Sequence, residues 1–431
     1  MDEGYWRHIR ERAIHLLRSG RSVREVAQIL QHSESWVYKC RQRYQEAGWE
    51  GLKSRSRRPH TLARRLPAHV RQAVREARSE LEAEAAQGGL KFIGSAAIRT
   101  RLKEKGITPL PSKRSIERIL RDAQMTQPRP RAKAEEDTYP HLQLTEPHLL
   151  VQVDICPRYL KGGQSVACFN AIDVVSRYPV CKAYEHRRSV EAAEFLYLVF
   201  REMGVPRYVQ MDNEGCFCGG HTHPGVIGKV VRVALMAGAE VVFSPIRHPQ
   251  SQGHVERFHY TYSRHVWQDT LLETVAQVNQ QAEAFLQKYR ERPHPRLQDR
   301  TPAQLHQAFP SRPLPAHFTW PADLGKARLP LYAGKIHFMR KVDAENHIPL
   351  LNMKWHIPHA AIGQKVWATL TLAPKESYLE VFDRAPDAPR RTRLAKHAFP
   401  LKEEVLPFPP PQKETQEKGK ASAPTAQAAP P

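Results

Sequence analysis

Three carboxylates, Asp154, Asp212 and Glu256, stand where they could share one task. Asp154 ends the run Leu149-Leu150-Val151-Gln152-Val153, and Asp212 ends Tyr208-Val209-Gln210-Met211. Both runs are short, rich in β-branched or aromatic side chains and followed by loop-forming residues, so both read as buried strands. Glu256 lies in Gln252-Gly253-His254-Val255-Glu256-Arg257-Phe258-His259, where Val255, Phe258, Tyr262 and Val266 recur at helical spacing. Two acids at strand ends and a third on a later helix can converge. Such a trio repels itself unless cations lie among its members. Hard oxygen donors in a partly open cluster suit Mg²⁺ or Mn²⁺, which in turn grip phosphate oxygens. Each acid taken singly has a plainer reading, since a strand-end Asp often forms a turn or caps a helix.

The elements that must position the trio are readable around it. Gly162-Gly163 turns the first strand into a second over residues 165–172, and 178–184 completes a meander. A helix over 189–203 precedes the strand that ends at Asp212. Glu240-Val241-Val242-Phe243 is a further strand, closed by Ser244-Pro245. The stretch from His248 through Gln250-Ser251-Gln252-Gly253-His254-Val255-Glu256-Arg257-Phe258 to His259 closely resembles the third-carboxylate motif of the retroviral-integrase and insertion-sequence transposase superfamily. Asp212-Asn213 resembles its second-carboxylate motif. Ile172-Asp173-Val174-Val175-Ser176-Arg177-Tyr178 resembles the strand and turn after the first. The resemblance covers roughly residues 148 to 385.

That resemblance implies an RNase H-like core over 148–295 acting as a DDE polynucleotidyl transferase. Asp154 would bridge two Mg²⁺ (or Mn²⁺) ions, with Asp212 and Glu256 each holding one. Water would cut the 3′ end of an element, and that end would then attack target DNA. A homo-multimer on DNA is expected, because joining two ends takes two sites. Arg257 and His259 flank Glu256 and could meet DNA phosphate. The runner-up readings are an adopted DNA-binding protein whose core no longer cuts, and a simple RNase H-type nuclease. The chain departs from the family at Glu214, where relatives commonly carry Gly or Ser. It also departs in a long stretch between Asp212 and Glu256. There Cys216, Cys218, His221 and His223 could hold Zn²⁺, but each pair is spaced more tightly than in usual structural zinc sites. A Gly-rich flap is the preferred reading, and zinc is not expected. Asp173 is a rival acid whose turn setting favours a structural role.

The net charge of +22 sits mostly in residues 1–133, and such a field favours a polyanion, with double-stranded DNA foremost. Residues 1–52 read as a helix-turn-helix. Ser22-Val23-Arg24-Glu25 is a capping box, and Ser35, Lys39 and Arg43 share a face suited to the major groove. Residues 53–66 form a basic arm with Arg55, Arg57 and Arg58. Residues 67–126 read as a second helix-turn-helix whose last helix offers Lys113, Arg114 and Arg118. Both modules resemble the paired DNA readers of transposases, and together they would read element ends. Residues 127–147 form a Pro-rich linker. A helix and Pro-rich connector (296–330) leads to strands over 331–385, similar to the small C-terminal β-barrel of Mu-type transposases, where Lys335, Arg340, Lys341 and Lys354 leave room for DNA. The fold class expected is therefore multidomain: all-α modules, an α/β core and a small β-barrel. The tail, 400–431, is expected to be disordered. Six cysteines with no disulfide pattern, no bilayer-length apolar stretch and a polar start point to a cytoplasmic, nucleoid-associated protein.

Overall fold

The computed structural model describes residues 3–54, 66–88, 90–126, 139–219, 224–246 and 248–408. Arg55, Arg57 and Arg58 of the arm, His221 and His223, and the tail beyond 408 lie outside the described residues. The chain divides into two compact units, Met1–Pro67 and Ala68–Pro431.

The first unit is three helices, α1 (Glu3–Arg18), α2 (Val23–Leu30) and α3 (Glu34–Ala47), closed by a 3-10 turn over Gly48–Leu52. The Ser22–Glu25 capping box starts α2 as expected. Ser33 caps α3 by accepting from the Trp36 amide at 3.3 Å. Ala13, Val26, Ala27 and Val37 make the core. Arg10 pins the 3-10 turn by donating to the Leu52 carbonyl at 2.9 Å.

The second unit begins with another helical triplet, α4 (Ala68–Ala86), α5 (Ser95–Glu104) and α6 (Lys113–Asp122). Val70, Val74, Ile98, Leu102 and Ile116 are fully buried among them. The triplet is tied to the rest of its unit. The Lys91 amide donates to His265 Nε2 at 2.9 Å, and Arg99 pairs with Asp299 at 2.9 Å.

The remainder is built on one nine-stranded sheet. In chain order its first part is β1 (Leu150–Tyr159), β2 (Ser165–Asp173), β3 (Pro179–Tyr184), α7 (Ser189–Met203), β4 (Tyr208–Met211), α8 (Gly215–Cys218), α9 (Lys229–Met236) and β5 (Glu240–Phe243). Then follow α10 (Gly253–Tyr262), α11 (Val275–Glu291) and α12 (Pro302–Gln307). Strands β6 (Gly334–Lys341), β7 (His347–Leu350), β8 (Met353–His356), β9 (Lys365–Leu372), β10 (Tyr378–Phe382) and β11 (Arg393–Ala398) end it. The sheet order is β11-β10-β9-β6-β5-β4-β1-β2-β3, with β7 and β8 as a separate hairpin. Strands β1 to β3 meander, and β1, β4, β5 and β6 run parallel.

Period-two alternation along β1 explains the two-sided packing. Val151, Val153 and Ile155 join the core with α7 and α9. Cys156 belongs to the opposite core, where Val255, Phe258, Tyr262 and Val266 meet Phe285 and Tyr289 of α11. The helical spacing seen around Glu256 is therefore the buried stripe of α10, continued as a π-helical turn over Ser263–Trp267.

Two expectations are corrected here. The C-terminal strands do not close into a separate barrel among the described residues. They continue the core sheet through β5–β6 pairing, Val241 opposite Ile336. The physical reason is that β5 is buried and apolar and would otherwise be left as an unpaired edge. The tail does not lose order at residue 400: Val405 is buried, Leu406 bridges Tyr332, and the Phe408 ring lies against Gly238.

Phe258→Ala should destabilise the second unit by about 3–5 kcal/mol, the usual cost of emptying a buried aromatic site. Denaturant unfolding followed by tryptophan fluorescence measures it; a loss below about 1 kcal/mol would contradict the packing described.

Candidate active site

The site is assembled by the register of two strands. The parallel β1–β4 ladder pairs Leu150 with Tyr208 and ends with Gln152 opposite Gln210. Two residues on, along the same strand face, come Asp154 and Asp212. Strand β4 stops at Met211, while β1 runs on beside β2 to Tyr159. Asp154 is thus within a strand and not at its end, and the two acids border the place where β1 loses its β4 neighbour.

Glu256 is delivered by α10, which no residue of its own segment caps. Gln152 does this across space. Its Oε1 accepts from the His254 and Val255 amides, both at 3.2 Å. Its Nε2 donates to Gln210 Oε1 at 3.0 Å and to the Ser251 carbonyl at 3.1 Å. Gln210 and Gln252 both donate to Ser244 Oγ at 3.0 Å. These four side chains are buried and mutually bonded. Sequence reasoning missed them, although Gln152 and Gln210 each sit two residues before an acid.

The acids feel one another. Burial first, then the charges of Asp212, Glu256 and Glu214, push Asp154 up to about 7, against a bond from the Ile155 amide that lowers it. Burial also raises Asp212, Glu214 and Glu256. Glu214 pairs with Arg187 at 2.8 Å and donates its amide to Asp212 Oδ1 at 3.0 Å. The fourth acid therefore belongs to this cluster. The trio is not drawn into a closed cage, since Asp154, Asp212 and Glu256 do not all lie within 4.8 Å of one another. His259 sits beside the first acid, its Nδ1 3.6 Å from Asp154 Oδ2, and burial lowers it to about 4. It faces the first acid and is partly buried, where the sequence suggested a side chain open to DNA phosphate. Arg257 is exposed, its guanidinium over the Tyr260 ring.

Arg340 is likewise corrected. It is buried, donating to Asn213 Oδ1 at 2.7 Å, the Ser244 carbonyl at 3.2 Å and the Pro349 carbonyl at 2.9 Å. A residue of β6 so braces the loop that carries Asp212. Lys335, Lys341 and Lys354 are exposed.

Asp173 has the structural role expected. It accepts from the Val175 and Ser176 amides, the Ser176 hydroxyl and the His148 amide. Its carboxylate and the rings of His148 and His306 lie within 4.8 Å of one another. Asp173 already serves four donors and His306 Nδ1 meets Ser176 Oγ at 3.2 Å, so this is a bonded plug between turn and α12. Cys216 is packed in the apolar core, its thiol pushed up to about 12 by burial and by Glu214 and Asp212. Cys218 donates to the Asn213 carbonyl at 3.5 Å.

In the helical modules, Ser35 and Lys39 are exposed on α3, while Arg43 is half-buried and donates to the Lys53 carbonyl at 2.6 Å. Arg114 and Arg118 are exposed on α6, and Lys113 reaches the Pro295 carbonyl at 3.3 Å. No helix among the described residues is long and apolar enough to cross a membrane.

If Asp154 is held near 7, its contribution to stability is full below its unfolded value near 4 and is lost as pH rises through about 7. Without divalent cations, Asp154→Asn should therefore raise the melting temperature at pH 8 far more than at pH 4. Equal effects at both pH values would contradict the shift. Gln152→Leu and Gln210→Leu should each cost about 1–3 kcal/mol by orphaning buried partners. Denaturation of the double variant should show less than the summed loss, and strict additivity would dismiss the network.

Residues 10–72 match the winged helix-turn-helix family, and residues 237–302 match the integrase core domain family. Among solved structures, the chain is similar to the HTLV-2 integrase catalytic core domain in complex with magnesium, at 14% identity, 37% of this chain, 97% of that one and a TM-score of 0.30. It is similar to the simian T-cell lymphotropic virus intasome in complex with PP2A regulatory subunit B56 gamma, at 13% identity, 76% and 98% coverage and a TM-score of 0.34. The BIV integrase catalytic core domain follows, at 17% identity, 37% and 95% coverage and a TM-score of 0.29. The chain thus carries a segment that matches the winged helix-turn-helix family ahead of one that matches the integrase core domain family.

Proposed function

We propose that this chain is a DNA transposase that binds the ends of its own element, cuts them at the 3′ strand and joins them to target DNA. The reading rests above all on the β1–β4 register, which sets Asp154 beside Asp212 while Gln152 holds the helix bearing Glu256 over them. The acids are hard oxygen donors, half-buried and short of positive charge, a donor set that suits two Mg²⁺ or Mn²⁺ ions. Asp154, Asp212 and Glu256 would hold them. Bound there, such ions supply Lewis acidity toward phosphate oxygens.

The protein's own part is positioning. Gln152 and Arg340 fix the helix and loop from which Glu256 and Asp212 reach in. Arg187 offsets the charge of Glu214, leaving three acids for cation binding. Water attacks an end phosphodiester, and the 3′ oxygen leaves with a proton. That 3′-hydroxyl then attacks a target phosphodiester, forming the new ester as the target strand's 3′ oxygen departs. No covalent link to the protein forms. Ser35 and Lys39 of α3, the arm residues Arg55, Arg57 and Arg58, and Arg114 and Arg118 of α6 would bind double-stranded DNA. A homo-multimer would bring two ends together.

Purified protein with Mg²⁺ and its terminal repeats should nick and join DNA in a gel assay. Asp154→Asn should abolish both steps while end binding persists. Equal activity in that variant would overturn the site, and end binding without any wild-type joining would favour an adopted DNA-binding protein. Degradation of an RNA–DNA hybrid without joining would favour a nuclease.

A further inference from the structure

On the sheet face that carries α10 lies a cavity of about 890 Å³, within the roughly 300–1,000 Å³ range of small-ligand sites. Glu256 and His259 of α10 serve the acids, whereas His254, Arg257 and Thr261 line the cavity. The walls carry Arg177, Arg257, Arg292 and Arg296, and no carboxylate lines it. None of the four arginines makes an ion pair among the described residues, although most ion pairs of this unit engage arginine. The rest of the lining is largely apolar: Leu142 and Leu144 pack over the buried Leu150, Val174, Val242, Met339 and Trp367.

Four uncompensated guanidinium groups around one space repel each other, and an anion relieves that repulsion. The field is felt locally: burial, then Arg177, Arg292 and Arg296, lower His294 to about 4. Arg177 is set with some care. Its backbone is left-handed at φ 63°, uncommon for a long side chain, and Asp173 accepts from the amides just before it. Its guanidinium meets His254 Nδ1, yet its Nε is buried without a hydrogen-bond partner. A buried donor left unmet is costly and marks a place for an acceptor from outside the chain. The Arg292 guanidinium lies over the Phe92 ring, 3.2 Å from its centroid.

Arginines and an apolar lining around one space suit a ligand that joins a phosphate to a flat apolar body. We propose that this cavity binds one nucleotide, its phosphate held by Arg177, Arg292 and Arg296 and its base laid against the apolar part of the lining, where Leu142 and Leu144 are half-buried. The nucleotide could be turned out of a bound DNA strand or taken up free. Only the first source rests on the DNA-joining function proposed above.

The test uses the full chain, without Mg²⁺, and two probes: deoxyadenosine 5′-monophosphate by calorimetry, and a single-stranded oligonucleotide with one 2-aminopurine by fluorescence. At least one should register. Arg177→Gln with Arg296→Gln should weaken it about tenfold or more, the scale expected for lost charge-assisted bonds. Deoxyadenosine, lacking phosphate, should bind more weakly by a similar factor. Competition of the mononucleotide for the 2-aminopurine signal assigns a free nucleotide, and a signal from the strand alone assigns the strand. Silence of both probes, or binding unchanged in the double variant, overturns the proposal. Should Arg177→Gln not fold, Arg257→Gln with Arg296→Gln, both exposed side chains, replaces it. Asp154→Asn must bind like wild type, so loss of joining and loss of nucleotide binding remain separate results.

Discussion

The two-sided hydrogen bonding of the Gln152 carboxamide is the interaction on which the site depends. Its oxygen takes the two amides that open α10, and its nitrogen reaches Gln210 and the Ser251 carbonyl. One buried side chain thereby ties the strand of the first acid, the strand of the second and the helix of the third. An amide serves here because it both donates and accepts without bringing charge. A carboxylate or ammonium in its place would add desolvation cost beside acids that already repel one another.

That clamp works only because the sheet around it is rigid. Strand β4 is held between β1 and β5, and β5 is covered in turn by β6. Arg340 converts this cover into support for the site, spanning from the Pro349 carbonyl to Asn213 and Ser244. The C-terminal strands are thus joined physically to the loop of Asp212. Charge is divided along α10: Glu256 and His259 serve the acids, whereas His254 and Arg257 line the cavity that also carries Arg177, Arg292 and Arg296.

Much of this was legible in the chain. The alternation of Val151, Val153 and Ile155 and the stripe of Val255, Phe258, Tyr262 and Val266 set both faces of the core, because period two and period 3.6 are local signals. The capping box at Ser22 and the turn of Asp173 were readable for the same reason. What was not legible depends on distant partners. Gln152 and Gln210 look like weak points in apolar runs until the strands are paired. Arg340 and His259 look like surface charges until burial is known. The β5–β6 pairing joins segments far apart in sequence, so no local pattern announces it, and Val405 and Leu406 hide in a Pro-rich end.

The central claim is that Asp154, Asp212 and Glu256 together form a seat for divalent cations. Crystals of the DNA-bound protein grown with Mn²⁺ and measured at the manganese absorption edge test it directly. The account predicts anomalous density in contact with Asp154 and Asp212, with Glu256 drawn in to complete it. Density at His148, Asp173 and His306 instead, or none near Asp154, would contradict it.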